Sequence, residues 1–382
     1  MTQYRWNPYV LLSDDQLDST FKEHFSSESK VLLIMSQGFD VRMNLSLKQL
    51  ISSSCGLDIT PFVIAFNEGQ DSASHSNEDL VNANMTELFS LVEESKVLTA
   101  TLELWSSDGD SRRRVGDRRA ANLIDTLDLG AYSDIIVDIS ALPRGIYFSL
   151  IGKLLTIVDK IEIGQQPNFM VTVAENPELD KGIIDDTPDE NLNFLHGFGG
   201  GIDLSSDQEE PIVWLPILGE NKLPQIKKAY NRLIPSEICP VLPFPSLDPR
   251  RPDSLIISYH EFLFDEVNVE SQNLMYVPED NPFEAYKILS RAIQNYNKSL
   301  SNIGGCKAVL STFSSKLLSI GTLLAAYELK SLGIDVGVLN VDSSGYKIDR
   351  NLDLVKMKKD SKLFVIWLTG EPYGDLDKIN YE

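Results

Sequence analysis

Short, nearly continuous apolar runs alternate with longer amphipathic stretches along most of this chain. In the first half the runs at 31–36, 61–66, 100–105, 135–140 and 169–174 are rich in Val, Ile and Phe and predict strands. Helical periodicity fills the intervals at 44–53, 77–94, 118–129 and 145–160. The second half repeats the order, with strands expected at 212–217, 238–244, 273–277, 308–313 and 336–341 and helices at 222–233, 253–264, 282–300 and 315–332. A last apolar run at 362–369 predicts an edge strand. Strands that are apolar on both faces suit parallel sheets covered by helices on either side.

Pairing the strands of the two halves gives offsets that drift slowly, from 181 residues (Val31 to Ile212) to 167 (Phe169 to Val336). The fold class expected is α/β, with two tandem Rossmann-like lobes, each a mostly parallel sheet flanked by helices. The lobes are placed at 1–175 and 211–382. Between them, 176–210 is acidic and Gly-rich and reads as a linker, with Asp185-Asp-Thr-Pro-Asp-Glu190 and His196-Gly-Phe-Gly-Gly-Gly201 inside it.

At 382 residues the chain has room for two cores. Its formal charge of −22, from 34 basic and 56 acidic residues, argues against binding bulk nucleic acid or an anionic membrane. No apolar run is long enough to span a bilayer, and the opening Met-Thr-Gln-Tyr-Arg-Trp lacks a signal-peptide core, so the expected location is cytoplasmic. Three isolated cysteines offer neither a disulfide frame nor a zinc site.

Within this acidic chain, cations fall just beyond the predicted strand ends. The fourth strand of the first half, Asp134-Ile-Ile-Val-Asp138-Ile-Ser140, breaks at Ala-Leu-Pro143-Arg144 and enters an apolar helix. Its counterpart, Ala308-Val-Leu-Ser311-Thr-Phe, breaks at Ser314-Ser315-Lys316 before another. Hydroxyls, one fixed cation and a helix N-terminus in succession suit an anion, because free backbone N–H groups and the helix dipole add to the side-chain charge. Arg42 and Lys222 occupy similar places after the first strand of each half. The segment holding Arg112, Arg113, Arg114, Arg118 and Arg119, with Asp117, carries a local charge of +4, and Arg250 and Arg251 extend the pattern. Arginine forks match phosphate oxygens. The expected ligand is therefore an anionic small molecule or nucleotide, held by Arg144 and Lys316, closed on by Arg42 and the Arg112–Arg119 loop, and contacted by Lys222, Ser140, Ser311, Ser314 and Ser315.

Catalysis is the alternative. Asp40 and Asp138 are candidate magnesium ligands around a phosphate, and His196 is a candidate acid–base group; together they would describe a metal-dependent phosphohydrolase, nuclease or nucleotide-transforming enzyme. Asp138, inside a buried strand, has a second use as partner to Arg144 or to a local N–H. A third alternative is an acidic scaffold subunit that docks a basic partner.

The turns Ile139-Ser-Ala-Leu-Pro-Arg144 and Ser311-Thr-Phe-Ser-Ser-Lys316 resemble the fourth-strand turn of the CRISPR-associated Rossmann-like (CARF-type) sensor domains. The chain also resembles accessory proteins of bacterial anti-phage defence systems. The resemblance implies cyclic-oligonucleotide binding at strand ends and ligand-controlled regulation. With no effector nuclease segment in sight, the output would pass to a partner protein or a homo-oligomer.

Overall fold

The structure is a computed structural model that describes residues 4–54, 56–67, 76–108, 111–185, 192–202, 210–341, 346–349 and 351–374. The chain opens with β1 (Val10–Ser13), α1 (Asp15–His24), β2 (Lys30–Ser36), α2 (Leu45–Ser53), β3 (Asp58–Asn67), α3 (Glu78–Leu91) and β4 (Leu98–Glu103). A hairpin follows, β5 (Trp105–Asp108) and β6 (Ser111–Arg114), then α4 (Gly116–Ile124), β7 (Asp134–Asp138), α5 (Arg144–Val158), β8 (Asn168–Glu175), α6 (Pro177–Gly182) and β9 (Ile183–Asp185). The next stretch holds β10 (Asn193–Phe194), β11 (Ile212–Ile217), α7 (Leu223–Leu233), β12 (Glu237–Ile238), β13 (Val241–Pro243), α8 (Arg251–His260), β14 (Met275–Val277), α9 (Pro282–Leu300), β15 (Lys307–Thr312), α10 (Lys316–Ser331) and β16 (Val336–Asn340). It closes with β17 (Tyr346–Ile348), α11 (Leu354–Lys359) and β18 (Lys362–Thr369).

Two compact units result. The first holds Pro8–Asp185 with Gly345–Glu382, and the second holds Asp186–Ser344 with the first seven residues. The second is therefore an insertion between β9 and β17, which pair antiparallel with Asp185 opposite Tyr346. The N-terminal residues belong to the second unit because Trp6 is fully buried edge-on to Tyr286, at 5.3 Å between ring centres. The Arg5 N–H adds hydrogen bonds to the Tyr286 hydroxyl (3.1 Å) and to Glu328 (2.9 Å).

The first sheet has the order β1-β18-β8-β7-β2-β3-β4. Strands β8, β7, β2, β3 and β4 are parallel, while β18 runs antiparallel to both β8 and β1. The apolar run expected as an outer strand of the second lobe is thus an inner strand of the first sheet. Seven consecutive buried residues of Lys362–Thr369 pay for that position in a strand flanked on both edges. The second sheet has the order β10-β16-β15-β11-β13-β14, with β12 also on β11. Its strands are parallel except for β10. The strand expected over 238–244 is split at Cys239-Pro240, where proline supplies no N–H to the ladder.

Taken in order of appearance, the parallel strands of both sheets lie 5-4-1-2-3, and in both an antiparallel strand flanks the fifth. The α/β fold class expected from the pattern is what both sheets show. One face of the first sheet packs against α1, α2 and α3 through Leu17, Phe21, Leu47, Leu50 and Leu88. One face of the second packs against α7 and α8 through Ile226, Ala229, Leu255 and Tyr259. Both α5 and α10 are buried almost all round, as helices central to such a layer must be.

Candidate functional site

In an open parallel sheet the ligand crevice lies beyond the carboxyl ends of the strands, where strand order reverses. Here that point falls between β2 and β7 in the first sheet and between β11 and β15 in the second. The turns after these strands meet. A Cβ on Gly38 would lie 3.6 Å from that of Ala141, and one on Gly219 would overlap the Phe313 carbonyl and the Ser314 backbone. Each crevice is therefore built from the segments that the sequence singled out.

The first rim is closed by its own side chains. Arg42 is 2 % exposed. Its Nε and Nη2 donate to Asp40 at 3.0 and 2.8 Å, Nη2 also to Asp180 of α6 at 2.8 Å, and Nη1 to the Ala174 carbonyl at 3.1 Å. Burial opposes the guanidinium's charge, but Asp40 and Asp180 raise its pKa well above the ordinary value. Arg42 is thus an internal cation and does not close over a ligand. Asp40, gripped by the same guanidinium and by the Arg42 N–H (3.0 Å), is a poor fit for magnesium. Asp138 accepts from the Ser140 N–H at 2.8 Å, the local use anticipated for it. Ser140 is fully buried and its Oγ accepts from the Ala174 N–H at 2.9 Å. Asn84 of α3, which the sequence reading missed, clamps the turn by donating to the carbonyls of Gly38 and Asp40, both at 2.9 Å. Val41, Leu179 and Ile348 form a small apolar cluster with Phe39, Leu352, Leu354 and Met357, so α6, β17 and α11 cover this side of the rim. One buried hydroxyl there, Ser36 Oγ, has no hydrogen-bond partner among the described residues. Arg144 is the first residue of α5, behind Pro143, which has no side-chain acceptor to cap the helix.

The second rim is held differently. Lys222 precedes α7, Ser315 caps α10 by accepting from the Leu318 N–H at 3.2 Å, and Lys316 is the first residue of α10. Ser314, Ser315, Lys316 and Lys222 are all partly exposed. The Gly219–Lys222 turn is fixed by Tyr259, whose hydroxyl donates to the Gly219 carbonyl and accepts from the Lys222 N–H at 3.0 Å. Burial pushes that hydroxyl up to about 12, so it stays a neutral donor. Arg251 pairs bidentately with Glu220 (2.7 and 2.8 Å), also with Glu279, and reaches Ser314 Oγ at 3.4 Å. It ties together the turns after β11, β14 and β15. Ser311, expected as a ligand contact, is fully buried and accepts from Trp214 Nε1 at 3.1 Å on the α7–α8 face.

The remaining candidates stand elsewhere. Arg112, Arg113 and Arg114 lie on the β5–β6 hairpin beyond edge strand β4, two strands from the crevice, and their side chains lie outside what is described. Arg118 is exposed on α4, and Arg119 Nη1 donates to the Glu103 carbonyl at 3.1 Å. His196 is exposed at the amino end of the second sheet, because β10 runs antiparallel from Asn340 toward Val336 and Gly200 packs on the Val336 backbone. It is thus at the opposite end of the strands from Lys222 and Lys316. Among the described residues no group of three or more His, Cys, Asp or Glu side chains is gathered as a metal ion would require. No described helix is long and apolar enough to cross a membrane.

No family model matches the chain, and no curated protein matches it. Solved structures align over most of its length with little depth. A protein assigned as a universal stress protein of Pseudomonas aeruginosa UCBPP-PA14 covers 87 % of this chain and 98 % of its own at 11 % identity and a TM-score of 0.23. One assigned as a UDP-N-acetylglucosamine 2-epimerase of Listeria monocytogenes covers 80 % and 78 % at 10 % identity and 0.22. A glycosyltransferase of Streptomyces sp. SF2575, complexed with thymidine diphosphate, covers 77 % and 79 % at 9 % identity and 0.16. At such scores they carry no argument beyond general similarity, and the crevices stand on their own geometry.

Proposed function

We propose that the protein binds a phosphate-bearing ligand of the nucleotide class at the carboxyl rim of the second sheet and acts as a ligand-controlled sensor or regulatory subunit. The observation that carries this reading is the contact of Gly219 with Phe313 and Ser314 at the strand-order reversal, which brings the starts of α7 and α10 together. Lys222 and Lys316 stand at those two starts. A helix N-terminus with a fixed cation favours an anion through its dipole and its unbonded N–H groups.

Mass spectrometry of small molecules released from the purified chain, with thermal-shift titration against a nucleotide panel, tests the reading. A phosphorylated ligand that raises Tm in the natural protein and fails to do so in Lys222→Ala/Lys316→Ala is expected. A bound or stabilising ligand whose effect survives that double substitution overturns it.

A further inference from the structure

Strand register singles out two residues that the sequence reading passed over. Continuing the β15–β16 pairing of Leu310 with Val338 by two residues sets Thr312 opposite Asn340 at the last positions of both strands. Thr312 is 4 % exposed and Asn340 6 %. Neither Thr312 Oγ1 nor Asn340 Nδ2 meets a hydrogen-bond partner among the described residues. Side chains alternate along a strand. Trp214, Val309 and Leu339 lie on the face packed by α7 and α8, so Thr312 and Asn340 lie on the other, where α10 packs against β15 and β16. The first turn of α10 begins four residues after Thr312, over that same end of the strands.

The equivalent positions in the first unit are satisfied. Aligning Arg144 with Lys316 places Ser140 at Thr312, and the β7–β8 register places Ala174 at Asn340. There Ser140 Oγ takes the Ala174 N–H. In the second unit the same two sites hold a hydroxyl and an amide nitrogen that meet no partner among the described residues. Buried polar groups left so are costly, and where they occur side by side they call for a partner.

We propose that Thr312 and Asn340 form the phosphate subsite of the second rim, and that its ligand is a phosphate monoester rather than a phosphodiester. This rests on the reading of that rim as the ligand site. The Thr312 hydroxyl, the Asn340 amide, the first N–H groups of α10 and Lys316 are all donors, and a monoester meets them with three free oxygens and nearly twice the negative charge of a diester, which has two. Glu220 and Glu279, which Arg251 offsets only in part, disfavour an extended polyanion beside the site.

Calorimetric titration of the full chain with 5′-AMP, inorganic phosphate and cyclic di-AMP tests the proposal. Expected is binding of 5′-AMP that weakens about tenfold or more in Thr312→Val and in Asn340→Leu, the loss typical of one hydrogen bond to a charged group. Inorganic phosphate should compete if the phosphate alone is recognised, while cyclic di-AMP should not. Thr312→Val keeps the side-chain shape, so an unliganded Tm no lower than that of the natural protein shows that the variant folds. Undiminished 5′-AMP binding in both variants means that these two groups meet only a structural water, and overturns the proposal. Binding of cyclic di-AMP without 5′-AMP leaves the second rim as the ligand site but overturns the monoester assignment. Failure of the natural protein to bind any of the three overturns the assignment and the broader reading together.

Discussion

The rims of the two sheets are the same piece of architecture put to different uses. Both have strands in the order 5-4-1-2-3, a reversal between the first and fourth strands, and a cation at the start of the helix that follows the fourth. In the first, the cation after the first strand turns inward. Arg42 is buried between Asp40, Asp180 and the Ala174 carbonyl, and the chain returning from the second unit covers that side with Ile348, Leu352 and Leu354. In the second, the inward cation is Arg251, which comes from α8 and holds the rim together from outside the reversal. Lys222 and Lys316 stand at their helix starts, and beneath one of them Thr312 Oγ1 and Asn340 Nδ2 meet no partner among the described residues. Topology decides where a ligand can bind; the buried polar groups left unmet there among the described residues differ, Ser36 Oγ at the first rim and Thr312 Oγ1 with Asn340 Nδ2 at the second.

The largest effect should come from breaking the closed rim. Arg42→Ala leaves two carboxylates facing a buried vacancy and should cost about 3–5 kcal/mol, read as a lower denaturant midpoint. Arg42→Met with Asp40→Leu, which leaves only the partly exposed Asp180 without its cation, should recover part of that loss. The glycines sharpen the contrast further. Gly219→Ala forces a Cβ into the Phe313 carbonyl and should cost about 1–3 kcal/mol, whereas Gly38→Ala meets only ordinary contact and should change stability by under ~0.5 kcal/mol. Thr312→Val should be neutral or stabilising, by up to about 1 kcal/mol, because it removes a buried hydroxyl with no partner among the described residues.

The first unit should also dominate the pH dependence of stability. His24 lies between Asp134 (2.7 Å) and Glu371 (2.9 Å), with Trp367 edge-on, at the amino end of β7. Burial alone would lower its pKa, but the bonds and charges of Asp134 and Glu371 together raise it. The folded state therefore binds this proton more tightly than the unfolded one. The stabilisation is complete below the unfolded value of about 6.5 and is lost as pH rises through the raised folded value. Glu87 works with the opposite sign. Burial would raise its pKa, but Lys358, Lys48 and Asn44 bring it down to about 2, so its contribution is present above the unfolded carboxylate value and lost as pH falls toward 2. Urea midpoints across pH should lose the upper slope in His24→Gln and the lower slope in Lys358→Ala.

Much of the fold could be read from periodicity. The run at 212–217 and the helix at 282–300 fall at their observed bounds, and the turn carrying Arg144 or Lys316 sits after the fourth strand in both sheets. Periodicity cannot say which sheet a strand joins, so β18 was expected at an edge of the wrong sheet. The same limit hid the insertion, because β9 and β17 are three-residue strands with no pattern of their own. At the site, residue type gave the cations but not their partners. Arg42 looks like a rim cation until Asp180, 138 residues away, is brought to it. Ser311 and Thr312 are adjacent hydroxyls in sequence, and only strand alternation shows that the first faces Trp214 while the second faces α10. His196 was placed by its neighbouring glycines, yet β10 runs the other way and carries it to the amino end.

The most direct test compares two single substitutions in one assay, ligand-dependent thermal stabilisation of the full chain by 5′-AMP. Lys316→Ala should lose the stabilisation while Arg144→Ala retains it in full. Loss in Arg144→Ala with retention in Lys316→Ala would place the ligand at the first rim and contradict that expectation.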